Sequence, residues 1–188
     1  MKIAHKLPSL FAGALCVLIL MQCSEEPLDQ TVIKEVIAKR NSGLALLEEG
    51  RLNDAAAAFR RIVELIPREA SGHANLGFIS LRNNNPKDAL KSLEKAYDLD
   101  SDNPNINLLL ATTYEQNGDV EKAFSVLQQT LTQNPNHART IYRLLQREQA
   151  SSDNASLRTA LGYAENLVYS VPGNLAARLS LIELNLQN

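Results

Sequence analysis

Apolar residues along this chain form helical segments that are separated by short polar turns. Within residues 70–103, apolar side chains cover much of segment 71–82 and return at spacings of three and four in segment 87–99. Such spacings are typical of amphipathic helices. Asn85 is a good helix N-cap, and Pro86 suits the first helical position. The pattern therefore predicts a pair of helices joined by a tight turn.

The same pattern recurs on both sides of residues 70–103 with a period of 34 residues. A shift of this length places Gly43 on Gly77 and Ala55 on Ala89. The period is typical of helix-turn-helix solenoids. The sequence thus predicts four units and a final helix, with the bounds 36–69, 70–103, 104–137, 138–174 and 175–187.

The residues at fixed positions in each unit resemble those of a known repeat. Leu76, Gly77, Ala89, Leu93 and Ala96 follow the pattern of the tetratricopeptide repeat (TPR). This resemblance implies an all-α fold, namely a right-handed superhelical solenoid of antiparallel helix pairs. The solenoid would contain about four repeats and a terminal helix, as repeat proteins commonly do.

The chain departs from the repeat pattern at several positions. His73 and Asn107 stand where the family usually has an aromatic residue in the first helix, and Thr130 stands where it has a small alanine. The fourth unit is longer than the others, with three extra residues in or near 150–156. The first three units therefore carry the resemblance most strongly.

The chain begins with a segment that differs from the repeats. Lys2 and Lys6 precede an apolar run at 10–21, which is short for a membrane span and ends at Gln22 and Cys23. The segment resembles a bacterial lipoprotein signal, in which the cysteine becomes the lipidated first residue. Gln22 departs from the small residue that is usual there. The alternative is an ordinary signal peptide or a short anchor with an incidental cysteine.

The lipoprotein resemblance implies both a division of the chain and a location. The protein would be held by its lipid in a bacterial cell envelope, in the outer membrane, at the periplasmic face or at the cell surface. Cys16 would leave with the signal, so the mature chain would contain no disulfide. The implied segments are a signal peptide 1–22, a lipid-anchored tether 23–30 and a TPR solenoid 31–188.

Composition and spacing exclude several classes of function. Without Lys2 and Lys6, 17 basic residues face 21 acidic ones, a net charge of −4. Nucleic-acid binding relies on a basic surplus, so no nucleic-acid partner is expected. No pair of His or Cys has metal-ligand spacing, and no Gly-rich loop could hold a phosphate. We therefore expect no enzymatic activity, metal, cofactor or small-molecule substrate.

By resemblance to the family, the first helices of the repeats line a concave groove that binds a protein or peptide. Apolar surface with polar edges suits an extended peptide or an amphipathic helix. The alternative is that Leu44, Leu47, Phe78 and Leu81 only fill the bend between helices. We expect the central unit to bind most strongly. The candidate groove residues are Arg40, Leu44, Asn75, Phe78, Leu81, Leu108, Thr112, Arg139, Tyr142 and Arg143.

Three arginines of the fourth unit form a candidate basic stripe. Arg139, Arg143 and Arg147 recur every four residues and so share one helix face. The first two stand where related repeat domains hold the carboxylate tail of a chaperone. Phe78 and Leu109 stand where the rest of that clamp would be polar, so the sequence does not support chaperone-tail binding. An acidic segment or a free carboxyl terminus remains a hypothetical partner.

The sequence as a whole predicts a protein–protein interaction scaffold or adaptor. One alternative is an assembly factor, either pilotin-like or a component of outer-membrane assembly. Another is that the chain is the N-terminal repeat segment of a longer multidomain protein. Leu179, Ile182 and Leu186 share one face of the final helix, which suggests a contact with a partner or with further chain.

The lipoprotein hypothesis makes a direct prediction for Cys23. We expect Cys23→Ser to abolish incorporation of radiolabelled fatty acid, because the thiol is the acceptor of the lipid. Cys16→Ser should leave the labelling unchanged. Failure of the unmodified chain to incorporate fatty acid would contradict the hypothesis.

Overall fold

The computed structural model describes residues 29–151 and 153–187, and in these residues every regular element is an α-helix. The signal segment, Cys23 and most of the tether lie outside the described residues. None of the described helices is both long and apolar enough to cross a membrane. The helices are α1 (Gln30–Glu48), α2 (Leu52–Leu65), α3 (Ala70–Arg82), α4 (Pro86–Leu99), α5 (Pro104–Gln116), α6 (Val120–Gln133), α7 (Ala138–Gln149), α8 (Asn154–Ser170) and α9 (Leu175–Gln187).

Successive helices pack as hairpins that follow one another in a stack. α3 packs on α4, α5 on α6 and α7 on α8, while α2 contacts α3, α4 contacts α5 and α6 contacts α7. α3 also contacts α5, so first helices of neighbouring hairpins lie side by side. α9 packs on α8. The described residues from Glu35 onward form one compact unit, and the predicted all-α class is confirmed.

Each of the first two hairpins closes on a glycine of its first helix. A Cβ added to Gly77 would overlap the side chain of Leu93, which has no exposed surface. A Cβ added to Gly43 would lie 2.9 Å from Phe59 Cε2. Each glycine therefore lets a large apolar side chain of the second helix reach the backbone of the first.

The fourth hairpin reverses this arrangement of small and large residues. Leu145 occupies the position of α7 that corresponds to Gly77 of α3 and to Ala111 of α5. Ala164 of α8 is fully buried and lies in the same apolar cluster as Leu145. The close approach of the two helices is kept, because the large side chain now comes from the first helix and the small one from the second.

The turns within the first three hairpins share one backbone conformation. Gly50, Asn84 and Gly118 have positive φ angles of 74°, 55° and 86° and follow one another at the repeat period. Glycine and asparagine tolerate this left-handed region better than other residues. Asn85 accepts a hydrogen bond from the backbone N–H of Asp88 at 3.3 Å, as predicted for a helix N-cap.

Extra residues in the fourth repeat lengthen its second helix. α8 has 17 residues, whereas α2, α4 and α6 have 14 each. Asp153 caps α8 by accepting hydrogen bonds from the backbone N–H groups of Ala155 at 3.0 Å and Ser156 at 2.9 Å. Hydrogen bonds from the Ser151 hydroxyl and from Ser156 hold the pKa of Asp153 well below its usual range. The cap therefore stays ionised at physiological pH.

Two departures from the repeat pattern meet in the interior of the third hairpin. Asn107 and Thr130 have no exposed surface, and Asn107 Nδ2 donates hydrogen bonds to Thr130 Oγ1 at 3.0 Å and to the Ser101 carbonyl at 2.8 Å. Asn107 Oδ1 has no partner among the described residues. Burying a polar group without a partner costs about 1–3 kcal/mol. The Thr130 hydroxyl gives the buried Asn107 amide a hydrogen-bond partner that an alanine would not provide. The two departures from the repeat pattern therefore compensate each other.

Hydrogen bonds from tyrosines connect one hairpin to the next. Tyr97 donates to Gln129 Oε1 and Tyr114 donates to Glu94 Oε1, both at 2.9 Å. Burial, together with the Glu94 carboxylate, raises the pKa of Tyr114 to about 12. Tyr114 therefore remains a hydrogen-bond donor throughout the physiological pH range.

The glycine contact predicts opposite outcomes for two Gly→Ala substitutions. Gly77→Ala should lower the free energy of unfolding by about 1–3 kcal/mol, because its Cβ displaces the buried Leu93 side chain. Gly162→Ala in α8 should raise it by about 0.5–1 kcal/mol, because no atom lies within 4 Å and alanine favours the helix. Chemical denaturation measures both. Equal effects at the two positions would contradict the close approach at Gly77.

Candidate functional site

A cleft of about 460 Å³ opens between α5, α7 and the start of α9. It is open to solvent along one side. Its surface is mostly apolar, with charged groups contributed by α7. The lining residues are Leu108, Thr112, Ala138, Arg139, Tyr142, Arg143, Asn174 and Ala176.

The contribution of α5 is a partly buried apolar floor. Leu108 packs against the cluster that contains Ala111 and Leu127, so its position is fixed by the core. Thr112 lies one turn further on the same helix face, and its hydroxyl donates to the Leu108 carbonyl at 2.9 Å. This bond uses the hydroxyl proton within the helix. The Thr112 side chain therefore offers a hydroxyl oxygen and a methyl group to the cleft.

α7 supplies the charged and aromatic groups of the cleft. Arg139, Tyr142 and Arg143 fall on one face because they are three and four residues apart. Tyr142 is 36% exposed. The Arg143 guanidinium forms an ion pair with the Glu115 carboxylate at the end of α5. Arg139 is exposed and has no hydrogen bond or ion pair within the part of the chain that the structure describes.

The basic stripe expected on α7 is largely neutralised by neighbouring acids. The Arg147 guanidinium lies 3.5 Å from the centre of the Phe124 ring and pairs with Glu121 at 3.1 Å and Glu148 at 3.2 Å. Arg143 is paired as described above. Of the three stripe arginines, Arg139 alone has no acidic partner among the described residues, so it is the charge that a ligand can reach.

His137 reports on the electrostatic environment of Arg139. Its ring Nδ1 lies 2.8 Å from the Thr140 hydroxyl, at the start of α7. Burial lowers the pKa of His137, and the positive charge of Arg139 lowers it further. The imidazole is therefore neutral at physiological pH, and no second positive charge adds to Arg139 there.

Five of the ten predicted groove residues do not line this cleft. Arg40 pairs with Glu69 at 2.8 Å, an ion pair that links α1 to the residue before α3. Leu44 is 45% exposed on α1. Leu44 therefore does not fill the bend between helices as the alternative interpretation required.

The three predicted residues of the central repeat are engaged within the solenoid. Asn75 Nδ2 donates to the Ser71 carbonyl at 2.8 Å. Phe78 is half-buried, with the Arg82 guanidinium 6.0 Å from its ring centre, and Leu81 packs against the core. None of the three side chains lines the cleft between α5, α7 and α9. The expectation that the central unit binds most strongly stays a prediction.

The first turn of α9 and the residue before it complete the cleft, although neither is among the predicted groove residues. Asn174 Oδ1 accepts a hydrogen bond from the Ala177 backbone N–H at 3.1 Å and so begins the helix. Ala176 follows beside it. Ala176 holds the same position in the segment that begins at residue 175 as Arg139 holds in the fourth unit. The repeat pattern, continued by one more unit, would therefore have predicted Ala176 as a groove residue.

No group of three or more His, Cys, Asp or Glu side chains in residues 29–151 and 153–187 could hold a metal ion. The polar groups of the cleft are two guanidinium groups, a phenol, an amide and a hydroxyl. This set can orient a carboxylate or a peptide backbone by hydrogen bonds and charge. It is the chemistry of a binding surface.

Comparison with known proteins identifies the repeats. Two family models described as tetratricopeptide repeat match residues 34–72 and 80–148. No curated protein matches the sequence. The matched segments include Gly43, at which the first hairpin closes, and all of α5 and α6.

Solved structures share the fold at low sequence identity. The chain is similar to pilF of Pseudomonas aeruginosa, with 20% identity, 84% of this chain and 71% of that one covered, and a TM-score of 0.69. It is similar to MamA of Desulfovibrio magneticus RS-1, with 14% identity, coverage of 86% and 87%, and a TM-score of 0.67. It is also similar to YrrB, described as a TPR protein with an unusual peptide-binding site. The identity is 20%, 81% of this chain and 78% of that one are covered, and the TM-score is 0.62. The chain is thus a tetratricopeptide repeat protein, with an all-α solenoid of paired helices that matches the fold of these structures.

Proposed function

We propose that this chain is a non-enzymatic scaffold that binds a segment of another protein in the cleft between α5, α7 and α9. Tetratricopeptide repeats in general mediate protein–protein interactions, which sets the class of function. The observation that supports the site is one available cation, Arg139, at the edge of an apolar cleft. YrrB, whose fold the chain shares, has a peptide-binding site of its own.

The floor of the cleft suits an apolar side chain. Leu108 and the Tyr142 ring provide surface for dispersion contacts, and Ala138 and Ala176 leave space between them. A volume of about 460 Å³ lies within the range of small binding sites, about 300–1,000 Å³. Such a cleft can hold one or two side chains of an extended segment while the rest of the segment runs along the groove.

The charge at the edge favours an acidic segment. Arg143 is already neutralised by Glu115, so its guanidinium contributes little attraction. Arg139 is exposed and unpaired among the described residues, and it can form a charge-assisted hydrogen bond to a carboxylate. The proposed ligand is therefore a polypeptide segment with an acidic residue, or a terminal carboxylate, next to an aliphatic or aromatic residue.

We also propose that the solenoid is anchored by lipid at Cys23 in a bacterial envelope, at the outer membrane. This proposal is supported by the apolar run at 10–21 and the cysteine that follows it. Residues 23–30 could span at most roughly 27 Å when extended. The tether would hold the cleft near the membrane surface, where a partner of the envelope can reach it.

The cleft can be tested by site-specific photocrosslinking of the full-length chain in native envelopes. A photoreactive residue in place of Tyr142 should give one discrete adduct with another protein. The same residue in place of Tyr169 should not give this adduct, although Tyr169 is 87% exposed against 36% for Tyr142. Arg139→Glu should lower the adduct yield at position 142 by about tenfold, because it repels a carboxylate. Arg158→Glu, an exposed charge reversal on α8, should not.

Two results would count against the proposed site. Crosslinking that follows exposure alone, with more adduct at position 169, would show that the cleft has no specific ligand. An adduct at position 142 that is insensitive to Arg139→Glu and to salt would keep the cleft but remove the acidic ligand.

The availability of Arg139 can be measured in the absence of any ligand. Arg139→Gln should raise the pKa of His137 towards its ordinary value of 6.5, because the neighbouring positive charge is lost. The pKa should remain below 6.5, since burial is the larger cause of the shift. NMR titration of the imidazole resonances measures the change, and Arg158→Gln is the control. An unchanged pKa of His137 would show that the Arg139 guanidinium does not lie close to the imidazole.

A further inference from the structure

α9 packs on the solenoid with one face and leaves the opposite face in solvent. Ala177 and Leu184 are 0% and 2% exposed, within the apolar cluster that α8 shares. Leu181 is partly buried against the same cluster. The opposite face carries four large aliphatic residues, here named the α9 stripe: Leu175 at 68% exposure, Leu179 at 50%, Ile182 at 57% and Leu186 at 83%.

The spacing of the α9 stripe is that of a helix seam. Its residues are separated by four, three and four positions, which is the alternation of the a and d positions in a heptad. A continuous apolar strip of this kind is rarely left in water by a soluble domain. The spacing suits a second helix as the covering element, because a helix presents side chains at the same interval.

Two charged residues border the α9 stripe on its opposite edges. Arg178 lies before Leu179, at a g position, and Glu183 lies after Ile182, at an e position. Both side chains are exposed, and neither has an ion pair among the described residues. They are five residues apart, so they do not face each other on their own helix.

These charges complement each other when two copies of α9 lie side by side in the same direction. In a parallel pair of helices, a g residue faces the e residue five positions later on the partner helix. Arg178 would face the partner's Glu183, and the two-fold symmetry would form the same pair a second time. In an antiparallel pair each edge meets the same edge of the partner, and Arg178 would meet no carboxylate. The charges therefore select the parallel arrangement.

We infer that the chain forms a two-fold symmetric dimer in which the α9 stripes of two copies pack in parallel. Each stripe residue then meets its own counterpart, so the surface is self-complementary as an isologous interface requires. The two reciprocal Arg178–Glu183 pairs at the edges fix direction and register. This inference does not depend on what the cleft binds.

The dimer can be tested by sedimentation velocity on the full-length chain. The unmodified chain should sediment with twice the monomer mass, and Ile182→Glu should give the monomer. Leu44→Glu, at a comparably exposed leucine outside the α9 stripe, should leave the dimer intact. Circular dichroism should show equal helix content in all three, since these side chains do not contribute to the core.

Charge swaps then test the direction of the pair. Arg178→Glu and Glu183→Arg should each weaken the dimer by about tenfold, because each converts two attractive pairs into two repulsive ones. The double variant that carries both substitutions should regain the affinity of the unmodified chain. High salt should reduce all of these differences.

Several outcomes would overturn the inference. A monomeric unmodified chain would show that the α9 stripe is not covered by a second copy. Vesicle binding by such a monomer, lost in Ile182→Glu, would assign the surface to lipid instead. A dimer that persists in Ile182→Glu would be formed by another surface. Failure of the double charge swap to restore affinity would exclude the parallel register.

Discussion

The close approach of two helices within each repeat determines how the rest of the solenoid is built. A small residue on one helix faces a large apolar residue on the other, and the small one allows the large side chain to reach the backbone of its neighbour. Because the hairpins are closed in this way, their first helices lie side by side and form the walls of the cleft. The pairs at equivalent positions are Gly43 with Phe59, Gly77 with Leu93, Ala111 with Leu127, and, in reverse order, Leu145 with Ala164.

The charge of the cleft is set by acidic residues outside the helix that supplies the arginines. Glu115 lies at the end of the preceding first helix and neutralises Arg143, and Glu121 on α6 pairs with Arg147. On α7 itself only Arg147 has an acidic partner, Glu148. In the packed solenoid, Arg139 is the stripe arginine without an acidic partner among the described residues. The stripe therefore offers one unpaired positive charge, which lies at the edge of the apolar cleft.

Sequence periodicity predicted the architecture well, because repeat length, turn residues and helix faces are local properties. The cap at Asn85 and the closure at Gly77 follow from residue type and position alone. Periodicity does not tell which side chains of different helices meet. The partner of Arg143 is 28 residues away and that of Asn107 is 23, and neither lies at the repeat period. For the same reason the cleft was predicted in part, through α5 and α7, while its wall at Asn174 was missed.

The buried pair of Asn107 and Thr130 also bears on how such a chain can be rearranged in evolution. Both residues lie inside one 34-residue unit, so duplication or transfer of residues 104–137 would carry the compensating partner along. The hydrogen bond from Tyr97 to Gln129 connects two units and is exposed, so its loss costs little stability. A crossover between the two helices of the unit would instead separate Asn107 from Thr130 and leave the buried amide without this hydrogen bond. Recombination at the boundaries of this unit should therefore cost less stability than recombination between its two helices.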